Sequence, residues 1–315
     1  MKIQPKSYTL VSLIMLLIVS TGCMEQSSKI EAVPKMDALV SAKWLIENLD
    51  NTDLVVLDST VVTSMNDKGK FSNVSGRADY DAGHIPSAVF ADLQGNLSDP
   101  ESAFEFAMPS AEQFAQVMGD LGVGSDSRVV IYSAKNEVWA ARLWWMLRWA
   151  GFDQVAILDG GLKAWTDAGG ALSTGKSPRA AKKFIFNLRE GVIANLDEVF
   201  SAITNEQVTI ADALPEAHYT GKFSLYSRPG HIQSAVSMPS SNYSESGFYL
   251  TNDELDLLFD EERSNRVITY CGGGIAASSL AFNLVRAGYT DVAIYAGSLE
   301  EWTANAENPM SVENP

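Results

Sequence analysis

The chain repeats itself. Gly83-His84-Ile85-Pro86-Ser87-Ala88-Val89 returns as Gly230-His231-Ile232-Gln233-Ser234-Ala235-Val236, and the segment from Arg128 to Tyr132 returns from Arg266 to Tyr270. Ala150-Gly151-Phe152, Val155-Ala156-Ile157 and Trp165 then return as Ala287-Gly288-Tyr289, Val292-Ala293-Ile294 and Trp302. Matches in the same order at so long a period imply two homologous domains, because the repeats of a solenoid are far shorter. A length of 315 residues suits that division, at roughly 100–200 residues per domain.

Each half alternates short apolar runs with amphipathic stretches. Leu54 to Asp58, Val129 to Tyr132 and Val155 to Leu158 read as buried parallel strands, and the stretches between them as crossover helices. Helices are expected over Val138 to Ala150 and Ala276 to Ala287, each closed by a glycine, Gly151 or Gly288, in the C-cap position. Trp139, Trp144, Trp145 and Trp149 read as core or interface packing. The fold class expected is therefore α/β, with two tandem domains at residues 36–170 and 191–310, each a parallel sheet flanked by helices. Residues 171–190, rich in Gly, Ser, Pro and Lys with the glycines just before them, read as a linker running from ordered to flexible.

The second copy carries a feature the first lacks. From Val267 to Leu280 an apolar strand runs into Cys271-Gly272-Gly273-Gly274 and then into a helix. Consecutive glycines let the backbone curl so that N–H groups converge on the sulfur, and the positive end of the following helix adds a favourable field. Both effects favour an exposed, nucleophilic thiolate. A buried structural cysteine beside a turn is the competing reading. The first copy has Ser133-Ala134-Lys135-Asn136 at this place, so it is expected to be catalytically silent and to shape the cleft.

Cys23 is the other cysteine. It follows Lys2, Lys6, an apolar run from Tyr8 to Val19 and Ser20-Thr21-Gly22, a pattern that reads as a secretory signal over residues 1–23. The run is short for a membrane-spanning helix. Its end resembles a bacterial lipobox, with Ser20 where leucine is usual, and implies a lipid anchor on Cys23. Residues 24–35 read as a tether, and the expected location is periplasmic or cell-envelope, with the membrane met only through that anchor. With Cys23 processed, Cys271 has no partner for a disulfide, which favours a reactive role. A net charge of −16, from 39 Asp and Glu against 23 Lys and Arg, argues against nucleic acid as a partner. The three histidines and the cysteines show no metal-ligand spacing.

Together these segments, with the matching endings Gly161 to Trp165 and Ser298 to Trp302, resemble the two-domain rhodanese sulfurtransferases, from Asp37 to Trp302. In that family an inactive N-terminal rhodanese domain precedes an active one. The resemblance implies that Cys271 takes the outer sulfur of a small donor, thiosulfate or 3-mercaptopyruvate, and passes it from a persulfide to cyanide or a thiol. It further implies that the loop amides of Gly272, Gly273, Gly274, Ile275 and Ala276 hold the persulfide anion, without a cofactor. Thiosulfate-using members commonly carry basic residues where this chain has Gly272 and Gly273, and the loop is closer to the mercaptopyruvate-using kind. Carboxylate-binding arginines are replaced by Leu214 and His218, leaving Arg228 as the anion anchor, so substrate binding is expected from Arg228 and His218. His84 and His231 read as structural, and Asp58 and Asp212 as holders of loop backbone. A phosphatase would need an arginine where Ala277 stands. The alternative to catalysis is a persulfide-binding or redox-sensing module.

Overall fold

Residues 36–65, 71–259 and 262–313 are described in the computed structural model; the signal, anchor and tether expected over residues 1–35 lie outside them. The first domain holds five parallel strands: β1 Leu39–Val40, β2 Leu54–Asp58, β3 Val89–Phe90, β4 Arg128–Tyr132 and β5 Val155–Leu158, in the order β1-β5-β4-β2-β3. In the second domain β6 Ile193–Ala194, β7 Val208–Asp212, β8 Val236–Ser237, β9 Arg266–Tyr270 and β10 Val292–Tyr295 take the order β6-β10-β9-β7-β8. The two orders correspond strand for strand, as the repeat requires. Every residue of β2 and β5 is buried, which is why these strands read as unbroken apolar runs.

Helices cover the sheets. Ala111–Asp120 starts on Ser110, whose hydroxyl accepts from the Gln113 N–H. Val138–Trp149 and Ile275–Arg286 end, as expected, at Gly151 and Gly288, both in the left-handed region at φ 81° and 92°. A β-carbon on Gly151 would lie 2.2 Å from the Asn187 carbonyl oxygen, so no other residue fits this turn. The first domain adds an antiparallel hairpin, Val61–Met65 with Phe71–Ser75. Among the described residues no helix is long and apolar enough to cross a membrane.

Residues 171–190 are more firmly tied than their composition suggests. Backbone bonds run from Lys182 to Gly119 (2.9 Å), Asn187 to Ala150 (3.0 Å) and Arg189 to Trp149 (2.8 Å). Phe184, 6% exposed, sits between Phe114 and Phe152, and Phe186 packs on the same core, so aromatic rings anchor the second half of the segment.

The domains meet helix on helix. Trp144 of Val138–Trp149 packs edge-on against Phe282 of Ile275–Arg286 at 4.8 Å, and Tyr249 reaches the same ring at 5.0 Å. The Trp145 indole donates to the Val192 carbonyl at 3.1 Å, and the Tyr249 N–H to Asp159 at 2.9 Å. A single apolar cluster therefore runs from Val55 and Ile131 through these tryptophans to Phe282 and Ile294. The tryptophans serve packing, as their sequence context suggested. Phe282→Ala should lower the unfolding free energy by about 3–5 kcal/mol, measured by urea denaturation; a cost near that of a surface substitution would refute the shared core.

Candidate active site

Strand β9 delivers Cys271 into a turn that is fixed on several sides. Tyr270, at its end, donates its hydroxyl hydrogen to Asp212 Oδ2 at 2.7 Å and accepts the Ile232 N–H at 3.1 Å. Asp212 Oδ1 accepts the Leu214 N–H, and Asp58 Oδ1 the Thr60 N–H, both at 2.9 Å. Both aspartates thus hold loop backbone. Burial pushes the Asp212 carboxyl up to about 6, against the opposing hydrogen bonds from Leu214 and Tyr270.

The Cys271 N–H donates to Ser298 Oγ at 3.1 Å, while the Cys271 and Gly272 carbonyls accept from Leu299 (3.1 Å) and Glu300 (2.9 Å). The cysteine turn is therefore clamped to the start of the helix Ser298–Trp302. Ser298 is a buried non-glycine residue at φ 51°, a strained conformation held in place as its hydroxyl donates to the Tyr295 carbonyl at 2.8 Å. The first copy has Gly161, φ 56°, at this place. Overlaying the repeats is the sequence signal that would have singled out Ser298.

The expected convergence on sulfur has one direct contact: the Gly274 N–H donates to Cys271 Sγ at 3.1 Å, at the start of Ile275–Arg286. Gly274 lies at φ 84°, which a side chain rarely adopts. The expected exposure is not found, for Cys271 is only 3% exposed. Neighbours close over the turn. A β-carbon on Gly272 would stand 1.5 Å from the Tyr226 hydroxyl, one on Gly273 3.5 Å from Glu300 Oε2 and 3.8 Å from the Glu105 carbonyl, and one on Gly274 3.2 Å from Arg142 Nη1. Glu105 and Arg142 belong to the first domain, so the turn lies in the interdomain seam. Glu300 lies within the ending Ser298 to Trp302, whereas Tyr226, Glu105 and Arg142 form part of no local motif. Arg142 left one legible trace, a cation at the centre of an apolar helix whose other arginine, Arg148, is in the last turn.

Glu300 accepts a hydrogen bond from the Glu105 backbone, and burial followed by the Glu105 charge pushes its carboxyl up. Burial likewise raises the Tyr226 phenol, helped by the charges of Cys271 and Glu300, so Tyr226 stays a neutral hydroxyl.

The anticipated substrate residues make their contacts elsewhere. Arg228 Nη1 donates to the carbonyls of Asn305 (3.2 Å) and Asn308 (2.7 Å). His218 is buried against Phe223 at 4.8 Å, with its pKa lowered by that burial. The nearest atoms around Gly272, Gly273 and Gly274 come from neither. His84 and His231 are structural in the same way. Each stacks on a tyrosine, Tyr80 at 3.9 Å and Tyr219 at 3.8 Å, and places Nδ1 2.7 Å from that tyrosine's carbonyl. A carbonyl only accepts, so Nδ1 carries the proton in both. In the first copy Ser133 Oγ accepts the N–H groups of Lys135 and Asn136, both at 3.3 Å; the hydroxyl caps its own turn.

The model of the rhodanese-like domain matches twice, at residues 41–168 and 195–305. The human 3-mercaptopyruvate sulfurtransferase is 32% identical over 282 residues, 85% of this chain and 93% of that protein. The thiosulfate sulfurtransferase of Cricetulus griseus is 30% identical over 281 residues, covering 84% and 91%. A crystal structure of an Escherichia coli 3-mercaptopyruvate sulfotransferase superposes with a TM-score of 0.75 at 29% identity, over 84% of this chain and 99% of that one.

Asp212 makes the stability of this frame depend on pH. Its folded pKa lies above the unfolded value of about 3.9, so its stabilising share is fully present below that value and is lost as pH rises through about 6. Urea midpoints should fall between about pH 4 and 7, by about 2–3 kcal/mol in unfolding free energy from this group. Asp212→Asn should flatten that segment; equal slopes in the two proteins would show that Asp212 is not the group responsible.

Proposed function

This chain belongs to the rhodanese family, and from that premise we propose that it is a sulfurtransferase whose nucleophile is Cys271. The observation that carries the proposal is the Gly274 N–H held 3.1 Å from Cys271 Sγ at a helix N-terminus. Such a donor stabilises a sulfur anion both before and after a sulfur atom is added. With thiosulfate, the Cys271 thiolate attacks the outer sulfur, the S–S bond breaks and sulfite leaves with its electron pair. With 3-mercaptopyruvate the C–S bond breaks instead. Pyruvate leaves as its enolate and takes to carbon the proton that the thiol loses. Either route ends in a Cys271 persulfide, from which cyanide or a thiol removes the outer sulfur and restores the thiolate.

The geometry favours 3-mercaptopyruvate over thiosulfate. Glu300 Oε2 borders Gly273 beside the Glu105 backbone carbonyl, the Glu105 carboxylate is near enough for its charge to raise the Glu300 carboxyl, and neither carboxylate forms an ion pair among the described residues. A dianion meets that carboxylate pair with one more unit of charge than a monoanion, a penalty of about 1–2 kcal/mol at partly screened separations of about 8 Å. The basic start, apolar run and Ser20-Thr21-Gly22-Cys23 support, on sequence grounds, an exported protein anchored by lipid at Cys23.

Intact mass after exposure to each donor tests the chemistry. One sulfur atom should add to the protein, be absent in Cys271→Ser and leave on addition of cyanide; turnover surviving in Cys271→Ser would end the proposal. Glu300→Gln should raise kcat/KM for thiosulfate by about 5–30-fold, and less for 3-mercaptopyruvate. An unchanged donor ratio would show that this carboxylate does not select the donor.

A further inference from the structure

Arg142 sits at the centre of Val138–Trp149, a helix whose other buried positions are apolar. It is 1% exposed. Taking a guanidinium out of water costs several kcal/mol after relaxation unless an anion or a full set of acceptors meets it. Among the described residues Arg142 has one acceptor, the Phe106 carbonyl, 2.7 Å from Nη2. No carboxylate among the described residues forms an ion pair with it. Nη1 is buried with no partner at all.

That unpartnered nitrogen has a definite direction. It lies against Gly274, 3.2 Å from where a β-carbon of that residue would stand. Gly274 is the residue whose N–H holds Cys271 Sγ. The anion a buried guanidinium requires is therefore supplied by the sulfur turn of the other domain. Burial lowers the Arg142 pKa to about 10, with the charge of Cys271 opposing, so the side chain remains cationic at neutral pH.

We propose that Arg142 is a positioning residue of the sulfur site: its fixed cation, delivered from the catalytically silent first domain, holds the Cys271 turn and favours both the thiolate and the persulfide anion. A charge that acts on both states serves both half-reactions. It also gives the first domain a chemical task that Ser133 could not perform. The proposal rests on Cys271 being the nucleophile, but its test reads the thiol itself and does not need sulfur to be transferred.

The measurement is the rate of alkylation by iodoacetamide, an uncharged reagent, as a function of pH, on protein shown to be folded by circular dichroism. In Arg142→Gln, which keeps a donor for Phe106, the midpoint should rise by about one unit, a loss of about tenfold in thiolate below the midpoint. Arg142→Lys, which keeps the charge, should restore most of the difference. Arg142→Met provides a second neutral variant, because apolar residues of similar volume commonly replace buried charges without loss of stability. Superimposed profiles in the wild type and a folded neutral variant would overturn the proposal. So would failure of both neutral variants to fold while Arg142→Lys folds, since the charge would then serve the seam and not the sulfur.

Discussion

The packing of Val138–Trp149 on Ile275–Arg286 determines where everything else can be. Trp144 against Phe282 fixes the distance between the helices, and Trp145 closes the same seam through the Val192 carbonyl. The second helix begins at Gly274, directly after the cysteine turn, while the first carries Arg142 on its buried face. Bringing the helices together to bury aromatic surface therefore also brings a cation to the turn that holds the sulfur. Close-packed interiors transmit such constraints because side chains cannot shift without opening a void. Stability and chemistry here share one contact surface.

Duplication separates the frame from the chemistry. Both copies keep the five-strand order, the tyrosine-stacked histidine, and a hydroxyl from the tyrosine ending the central strand that accepts a backbone N–H, Ile85 on Tyr132 and Ile232 on Tyr270. Even the strained serines recur, Ser87 at φ 64° and Ser234 at φ 66°. The copies diverge at the turn. Ser133 caps its own backbone, whereas Cys271 sits under a glycine whose amide points at sulfur. Gly161 in one becomes Ser298 in the other, which adds a hydroxyl acceptor for the Cys271 N–H. Each change adds a polar contact to one residue, Cys271, and leaves the strand order untouched.

The parallel sheets and the long helices were legible because burial on both faces writes itself as unbroken apolar runs, and because Gly151 and Gly288 mark helix ends by backbone geometry alone. Cys271 was legible for a related reason: the turn's chemistry is local. The rest of the site was not. Tyr226 stands 45 positions before Cys271, and Arg142 and Glu105 lie in the other domain; only the fold brings them to Gly272, Gly274 and Gly273. Arg228, read from sequence as an anion anchor, donates to the backbone carbonyls of Asn305 and Asn308, contacts that no local pattern announces. The anchoring of segment 171–190 was not legible because composition averages over residues, whereas Phe184, Phe186 and backbone bonds at Lys182, Asn187 and Arg189 tie it down.

The charges around the sulfur are arranged in depth. The Glu300 carboxylate lies at Gly273 under the charge of Glu105, whereas the Arg142 cation lies buried against Gly274, with the amide that meets the sulfur between them in the chain. A donor anion approaching the turn is repelled by the carboxylates before it gains anything from the guanidinium. Once the outer sulfur is on Cys271, the persulfide anion belongs to the residue whose sulfur the Gly274 amide already meets. Repulsion makes the donor's approach costlier, while the amide and the cation act on the anion that the enzyme's sulfur carries before the attack, as thiolate, and after it, as persulfide. A strongly acidic chain can therefore run the chemistry of an anion, provided that its positive groups are buried where the charge ends up.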